Sequence, residues 1–250
     1  MKKVQNIYDN KDFFDAYKEM RDTKINANEL IEMPTIKEML PDLKDTTILD
    51  LGCGDCSMAR YFVEKSAKQV VAVDVSQNML NEAKKHDCKN IELKLLSMEE
   101  INTIQGQFDI VYSSLAFHYV ENFNKLMLDI SNKLKENGYL IFSQEHPLNT
   151  SIQTLPKDGK KHLEIDGKRY YLLSDYNVVG IRKMDWNTNG VIKYHRNFET
   201  IINSIIGANM IIEEIRESKA SKEVIEKMPK YEYQKDKPYF LFVKAKKCKQ

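Results

Sequence analysis

The most chemically pointed residues in the chain are two acids flanking a pair of glycines. Asp50-Leu51-Gly52-Cys53-Gly54-Asp55-Cys56 follows a short apolar run. Glycine adopts positive φ and lets the backbone approach a ligand closely. The carboxyl end of a buried strand is where open α/β sheets bind ligands. Asp74 closes a second apolar run, Val70-Val71-Ala72-Val73, about 20 residues after the glycines. A carboxylate there can accept hydrogen bonds from both hydroxyls of a ribose. The pattern therefore suits a nucleoside-containing cofactor. A dinucleotide fold would have a third glycine at Ser57, so that fingerprint is broken, although Asp74 alone would serve NAD equally. Candidate acid–base groups are His118, Glu145 and His146, since an imidazole titrates near neutrality.

These groups need a scaffold, and the apolar runs supply one. Residues 47–51, 70–73, 91–95, 108–112 and 139–142 read as buried strands. Helical spacing separates them, with Ser76 as a cap and Gly138 placed to end the helix of residues 121–135. Strands alternating with helices predict a parallel sheet with right-handed crossovers. Residues 11–22 and 28–40 predict two leading helices, with a kink or start at Pro34. After residue 145 the alternation stops. Asp166-Gly167 and Asn189-Gly190 are hairpin signals, so residues 146–196 are expected to form a small antiparallel insertion. A helix at 197–207 and strands at 210–212 and 239–243 then return to the core. The expected fold class is α/β, a doubly wound, mostly parallel seven-stranded sheet with N-terminal helices and that insertion after strand five.

Composition narrows the function. A net charge of +1 gives no global field to attract nucleic acid or an anionic membrane. The basic cluster Lys244, Lys246, Lys247 and Lys249 reads as a solvated tail. No apolar run reaches the roughly 18 residues of a membrane span, and Met1-Lys2-Lys3 does not begin a signal peptide. Four cysteines do not suggest a disulfide framework in a chain of 250 residues, so a reduced, cytoplasmic protein is expected. Cys53 and Cys56 form a C-x-x-C without a second ligand pair, and no metal is expected.

The loop Asp50-Leu51-Gly52-Cys53-Gly54-Asp55-Cys56 resembles motif I of the class I S-adenosylmethionine (AdoMet) dependent methyltransferases, with Cys56 at the motif's third glycine. Val73-Asp74-Val75-Ser76-Gln77-Asn78-Met79-Leu80 resembles the second motif. Ser97-Met98-Glu99 lies where the family contacts adenine, many members having Asp at Ser97. Phe108-Asp109-Ile110-Val111-Tyr112-Ser113-Ser114-Leu115 resembles the fourth-strand motif, and residues 134–142 the helix and strand that follow. The likeness spans roughly residues 46–145. It implies AdoMet as cofactor and S-adenosylhomocysteine (AdoHcy) as product. The implied cofactor residues are Tyr17, Arg21, Asp50, Gly52, Cys53, Gly54, Asp74, Val75, Met79, Ser97, Met98, Glu99, Ser113 and Leu115. The division expected is a helical lid (1–45), an AdoMet-binding core (46–145), a substrate cap (146–196) and the rest of the core (197–250). Within the cap, Tyr170, Tyr171, Tyr176 and Trp186 either line a pocket or form its own core; Tyr119, Tyr170 and Trp186 are the acceptor-binding candidates.

Glu145-His146-Pro147, the insertion, and Tyr194-His195-Arg196 look like a bacterial branch acting on small molecules. The reaction expected is methyl transfer to O or N of a small-molecule acceptor, by a monomer or homodimer. Three other readings stay open. A tRNA or other nucleic-acid methyltransferase lacks support from the charge and from an Asn/Asp-Pro-Pro-Tyr/Phe run. A non-catalytic AdoMet-binding subunit and a dehydrogenase remain testable by turnover and by NAD titration.

Overall fold

The computed structural model describes residues 5–23, 25–157, 159–184 and 190–249. Five strands come first: β1 (Thr47–Leu51), β2 (Gln69–Asp74), β3 (Ile91–Leu95), β4 (Phe108–Ser114) and β5 (Leu134–Glu145). Two hairpins follow, β6 (His162–Ile165) with β7 (Lys168–Tyr171), and β8 (Gly180–Met184) with β9 (Val191–His195). The chain closes with β10 (Met210–Glu217) and β11 (Phe240–Lys247). The main sheet has seven strands in the order β10-β11-β5-β4-β1-β2-β3. β1 to β5 are parallel, and β11 runs antiparallel between β5 and β10.

The central strands are apolar on both faces, as a sheet covered by helices on both sides requires. In β2 every residue after Gln69 is buried. One core layer packs the helices Phe123–Lys133 and Phe198–Gly207 through Leu126, Ile130, Ile201 and Ile205. The opposite layer packs Met33–Met39, Ser57–Glu64 and Gln77–Ala83 through Ile36, Met39, Phe62 and Leu80. The doubly wound sheet read from the sequence is therefore the observed fold.

Three local readings change. The helix before β5 stops at Lys133 rather than at Gly138. Asn137 takes the left-handed turn at φ 60°, and Gly138 lies where a Cβ would sit 3.0 Å from the Asp109 and Lys135 carbonyl oxygens. Lys244, Lys246 and Lys247 belong to β11, not to a tail. The first two hold their ammonium groups 4.9 and 5.6 Å from the Tyr139 ring, and Lys247 donates to the Leu134 carbonyl. Helices at Lys222–Lys227 and Pro229–Lys235 fill the connection before β11, which carried no sequence signal.

The leading segment lies against the sheet's carboxyl edge. Helix Lys11–Asp22 is capped by Asn10 and carries Phe13 and Tyr17 on its inner face. A π-helical turn, Asn28–Glu32, leads into Met33–Met39, with Pro34 in its first turn. Asp9 accepts from Ser76 Oγ at 2.6 Å, and Asn6 donates to the Val75 carbonyl. Gln5 exchanges two hydrogen bonds with the Ile192 backbone, so this segment bridges the sheet and the β8–β9 hairpin. Buried Arg182 donates to the carbonyls of Ser151, Asp175 and Val178, and holds that hairpin's base together. Among the described residues no helix is long and apolar enough to cross a membrane.

Candidate active site

At the end of β1 the chain turns sharply. Gly52 has φ +73°, and a Cβ there would lie 2.6 Å from the Ala116 Cβ; Gly54 has φ +55°, with the Met79 methyl 2.9 Å from such a Cβ. Both positions require glycine for conformation and for space. The Gly52 and Cys53 amides donate to the Val73 carbonyl and pin the loop to β2. Cys56, in place of the third glycine, is left-handed at φ 60° and buried. The backbone thus keeps the glycine-type conformation at a cost of about 1–2 kcal/mol.

Asp74 closes the loop from the other side. Its Oδ2 accepts from the Gly54 amide and its Oδ1 from the Ser76 amide, both at 2.8 Å. Each oxygen keeps a further lone pair for a ligand. Ser76 caps the next helix, which places Met79 beside the loop. Ser97 caps the turn that carries Met98 and Glu99.

The cavity these elements surround measures about 540 Å³. On its wall stand Tyr17, Arg21, Asp50, Gly52, Cys53, Gly54, Asp74, Val75, Met79, Ser97, Met98, Glu99 and Leu115, as well as His118, Tyr119 and Glu145. Ser113 turns the other way and donates to the Leu51 carbonyl inside the core; its neighbour Ser114 faces the cavity. Among the described residues, several buried polar atoms have no partner: Asp50 Oδ2, Glu32 Oε2, Arg21 Nη1 and Tyr112 Oη. Glu32 lies behind Ser114, its other oxygen accepting from Ser114 and Ser143. Burial pushes the Asp50 carboxyl well above the usual range, with Asp74 and Asp55 adding to it, and burial raises Glu32. On the cavity wall, the Asp50 carboxyl and the Arg21 guanidinium, each with an open position, complement the ammonium and carboxylate of an amino acid. Beside them, the glycine loop and Asp74 complement a nucleoside. The site therefore fits a ligand that joins the two.

Beyond this region the cavity reaches the turn Phe117–Tyr119. His118 is 4% exposed, and its Nδ1 has no partner among the described residues. Burial drives its pKa down to about 3, against a nearby Glu145 that pulls the other way. The ring is therefore neutral at physiological pH. Tyr119 hydrogen-bonds Tyr8. Glu145 pairs with Lys193 at 2.5 Å. Tyrosines from the last connection, Tyr231, Tyr233 and Tyr239, complete the wall.

Other candidates lie elsewhere. His146 is buried off the cavity: Nε2 meets Glu217 at 2.8 Å, and Nδ1 accepts from the Leu148 amide as the cap of a short helix. Tyr170 is 47% exposed on β7, with Lys168 over its ring. Trp186 lies outside the described residues. Tyr176 hydrogen-bonds Phe198 and packs on His195, inside the insertion's own core. Tyr8, Asn26, Ser114, Ala116 and the late tyrosines line the cavity without having been singled out in the sequence. Among the described residues no group of His, Cys, Asp and Glu is placed to hold a metal ion.

A methyltransferase-domain family model matches residues 49–142. The chain is 31% identical to a crystallised S-adenosylmethionine-dependent methyltransferase from Mesorhizobium loti, over 89% of this chain and 98% of that one, with a TM-score of 0.79. It is 37% identical to an uncharacterised protein of Haemophilus influenzae over 96% of both chains. A shorter match, 29% identity over 42% of this chain and 41% of the other, is to a malonyl-[acyl-carrier protein] O-methyltransferase of Enterobacter lignolyticus.

Proposed function

Because the chain belongs to the class I S-adenosylmethionine-dependent methyltransferases, we propose that it methylates an oxygen or nitrogen atom of a small molecule enclosed in the cavity beside His118. The observation that carries this reading is the shape of the acceptor end. It is a pocket walled by Tyr119, Glu145, Tyr233 and Tyr239, continuous with the cofactor region. The partial likeness to an O-methyltransferase favours oxygen.

When bound, AdoMet supplies a methyl group already activated as an electrophile. The chain's own residues then position and shield. Asp74 holds the ribose, Met79 packs beside the adenine, and Ser97 to Glu99 border the base. Arg21 takes the carboxylate on its open Nη1, and Asp50 takes the ammonium. Tyr8, Tyr17 and Arg21 of the leading segment and Tyr231, Tyr233 and Tyr239 of the last connection enclose the ligands and exclude water. His118, neutral and with Nδ1 open, accepts a hydrogen bond from the acceptor's nucleophile and orients it; a pKa near 3 makes the ring a weak base, so its part is positioning.

The test is transfer of label from methyl-labelled AdoMet into a cell extract divided into a low-molecular-mass ultrafiltrate, total RNA and protein. Label in the ultrafiltrate, on O or N by mass spectrometry, is expected. Label confined to RNA or protein would refute the small-molecule reading.

A further inference from the structure

The cavity wall where β4 ends is bent against its own preference. Leu115, which lines the cavity, has φ 49°, a left-handed conformation that is an outlier for a bulky side chain. Two bonds across the β4–β5 pair hold it there. Its amide donates to the Ser143 carbonyl at 3.0 Å and to the Ser143 hydroxyl oxygen at 3.1 Å. That hydroxyl has one proton, and it donates to Glu32 Oε1 at 2.5 Å. Ser114, on the cavity wall and in register with Ser143, donates to the same oxygen at 2.9 Å. With its proton engaged, the Ser143 hydroxyl has only lone pairs to turn toward Leu115. A hydroxyl that donates to a carboxylate is also the stronger acceptor. Glu32 and Ser143 are both fully buried. Burial raises the Glu32 carboxyl, and the two serines pull it down. Glu32 belongs to the leading segment, where it ends the π-helical turn Asn28–Glu32, a rare element that frequently marks functional sites. Asn26, Ala27, Asn28 and Met33, on either side of it, line the cavity. One buried carboxyl thus joins the leading segment, β5 and the end of β4.

We propose that Glu32 is a positioning residue for methyl transfer. Through Ser143 it holds Leu115 in its left-handed conformation, so the cavity wall at the end of β4 is complete only when the leading segment is docked. Without Glu32 the Ser143 hydroxyl is free to rotate, and its proton can turn toward the Leu115 amide. The wall then relaxes. A ligand must restore it on binding, which weakens its affinity. Ser114, tied to the same oxygen, loses its anchor at the same time. This inference rests on the placement of the cofactor in that cavity and is independent of the acceptor.

The test is calorimetric titration of the full chain with AdoHcy, with denaturant unfolding of each variant alongside. Glu32→Ala is expected to weaken AdoHcy binding about tenfold, the factor equivalent to the left-handed cost of a residue other than glycine. Glu32→Gln keeps an oxygen for the two serines and should stay within about threefold of wild type. Glycine occupies the left-handed region without support. Adding Glu32→Ala to Leu115→Gly should therefore change affinity by less than about threefold, whereas a general loss of packing would persist in that background. Ser143→Ala, which leaves Glu32 in place, should also weaken binding, and Leu115→Gly should suppress that loss too; this comparison decides the matter if Glu32→Ala does not fold. Wild-type affinity in folded Glu32→Ala or in Ser143→Ala, a Glu32→Gln as weak as Glu32→Ala, or an undiminished loss beside Leu115→Gly overturns this proposal alone. Failure of the folded wild-type chain to bind AdoHcy overturns it together with the cofactor placement.

Discussion

Replacing Asp74 by asparagine separates two jobs of one carboxylate. Each of its oxygens already accepts a backbone N–H, from Gly54 and from Ser76, and the residue is 8% exposed. Asparagine offers one acceptor oxygen and one donor group. Whichever way the amide turns, one of these two N–H groups faces another donor. An unsatisfied buried donor costs about 1–3 kcal/mol. Burial raises the Asp74 carboxyl pKa, so losing the charge recovers some desolvation and places the expected loss of stability in the lower half of that range. The cofactor loses more. Two charge-assisted bonds to the ribose, each about 1.5–3 kcal/mol, become at most one neutral bond of about 0.5–1.5 kcal/mol. A net loss of about 3 kcal/mol corresponds to a roughly hundredfold weaker Kd. Calorimetric titration with AdoHcy, together with denaturant unfolding, reads both quantities. A variant whose Kd stays within about threefold of wild type, with an unchanged unfolding midpoint, would refute the placement of the ribose on Asp74.

Gly52→Ala should abolish AdoHcy binding and lower Tm. The new methyl meets the Ala116 Cβ at 2.6 Å, and φ +73° adds about 1–2 kcal/mol; unchanged binding would show that the loop can rearrange. Glu145→Gln leaves the buried Lys193 without its carboxylate and should cost about 3–5 kcal/mol, most of it recovered in Glu145→Gln/Lys193→Met; equal stability of the single and double variants would contradict this. His118 contributes a pH dependence. Its folded pKa, about 3, lies below the unfolded value near 6.5, so between those values the unfolded chain binds the extra proton. Its contribution is complete above the unfolded value and is lost as pH falls toward the folded one, at up to about 1.4 kcal/mol per pH unit. Denaturant unfolding from pH 7 to pH 4.5 should show a shallower decline in His118→Gln than in wild type; parallel declines would refute the assignment.

The strands and the cofactor loop were legible because their signals are local. An apolar run ending in Gly52 and Gly54 specifies strand, turn and ligand approach within a few residues. Cys56 shows how far such reading extends: its side chain departs from the family pattern while its backbone keeps the left-handed conformation. Gly138 was misread because a glycine after a helical pattern resembles a terminator, whereas here it is needed for close approach to Asp109 in the β4–β5 pair. Ser113 and Ser114 differ only in strand parity, and a fully buried strand has no polar face to reveal which one points outward. Tyr8, Tyr231, Tyr233 and Tyr239 come from opposite ends of the chain. Only tertiary packing brings them to one cavity, and nothing in their own neighbourhoods marks them. The lysines of β11 resembled a charged tail because their apolar partner surface, the Tyr139 ring, is about a hundred residues away in sequence.

Arg196, where the insertion rejoins the core, reaches back to the carbonyls of Phe117, Val120 and Glu121, and lays its guanidinium 4.7 Å from the Phe123 ring centre. These bonds frame the turn that bears His118 and Tyr119. The consequence is evolutionary. The insertion is not a cassette that can be traded freely between relatives, because its last residue is also a fastener for the turn that bears His118 and Tyr119. Descendants of this chain that change the insertion must either retain Arg196 or rebuild the turn after β4 in step with it, so the insertion and the geometry of that turn are inherited together.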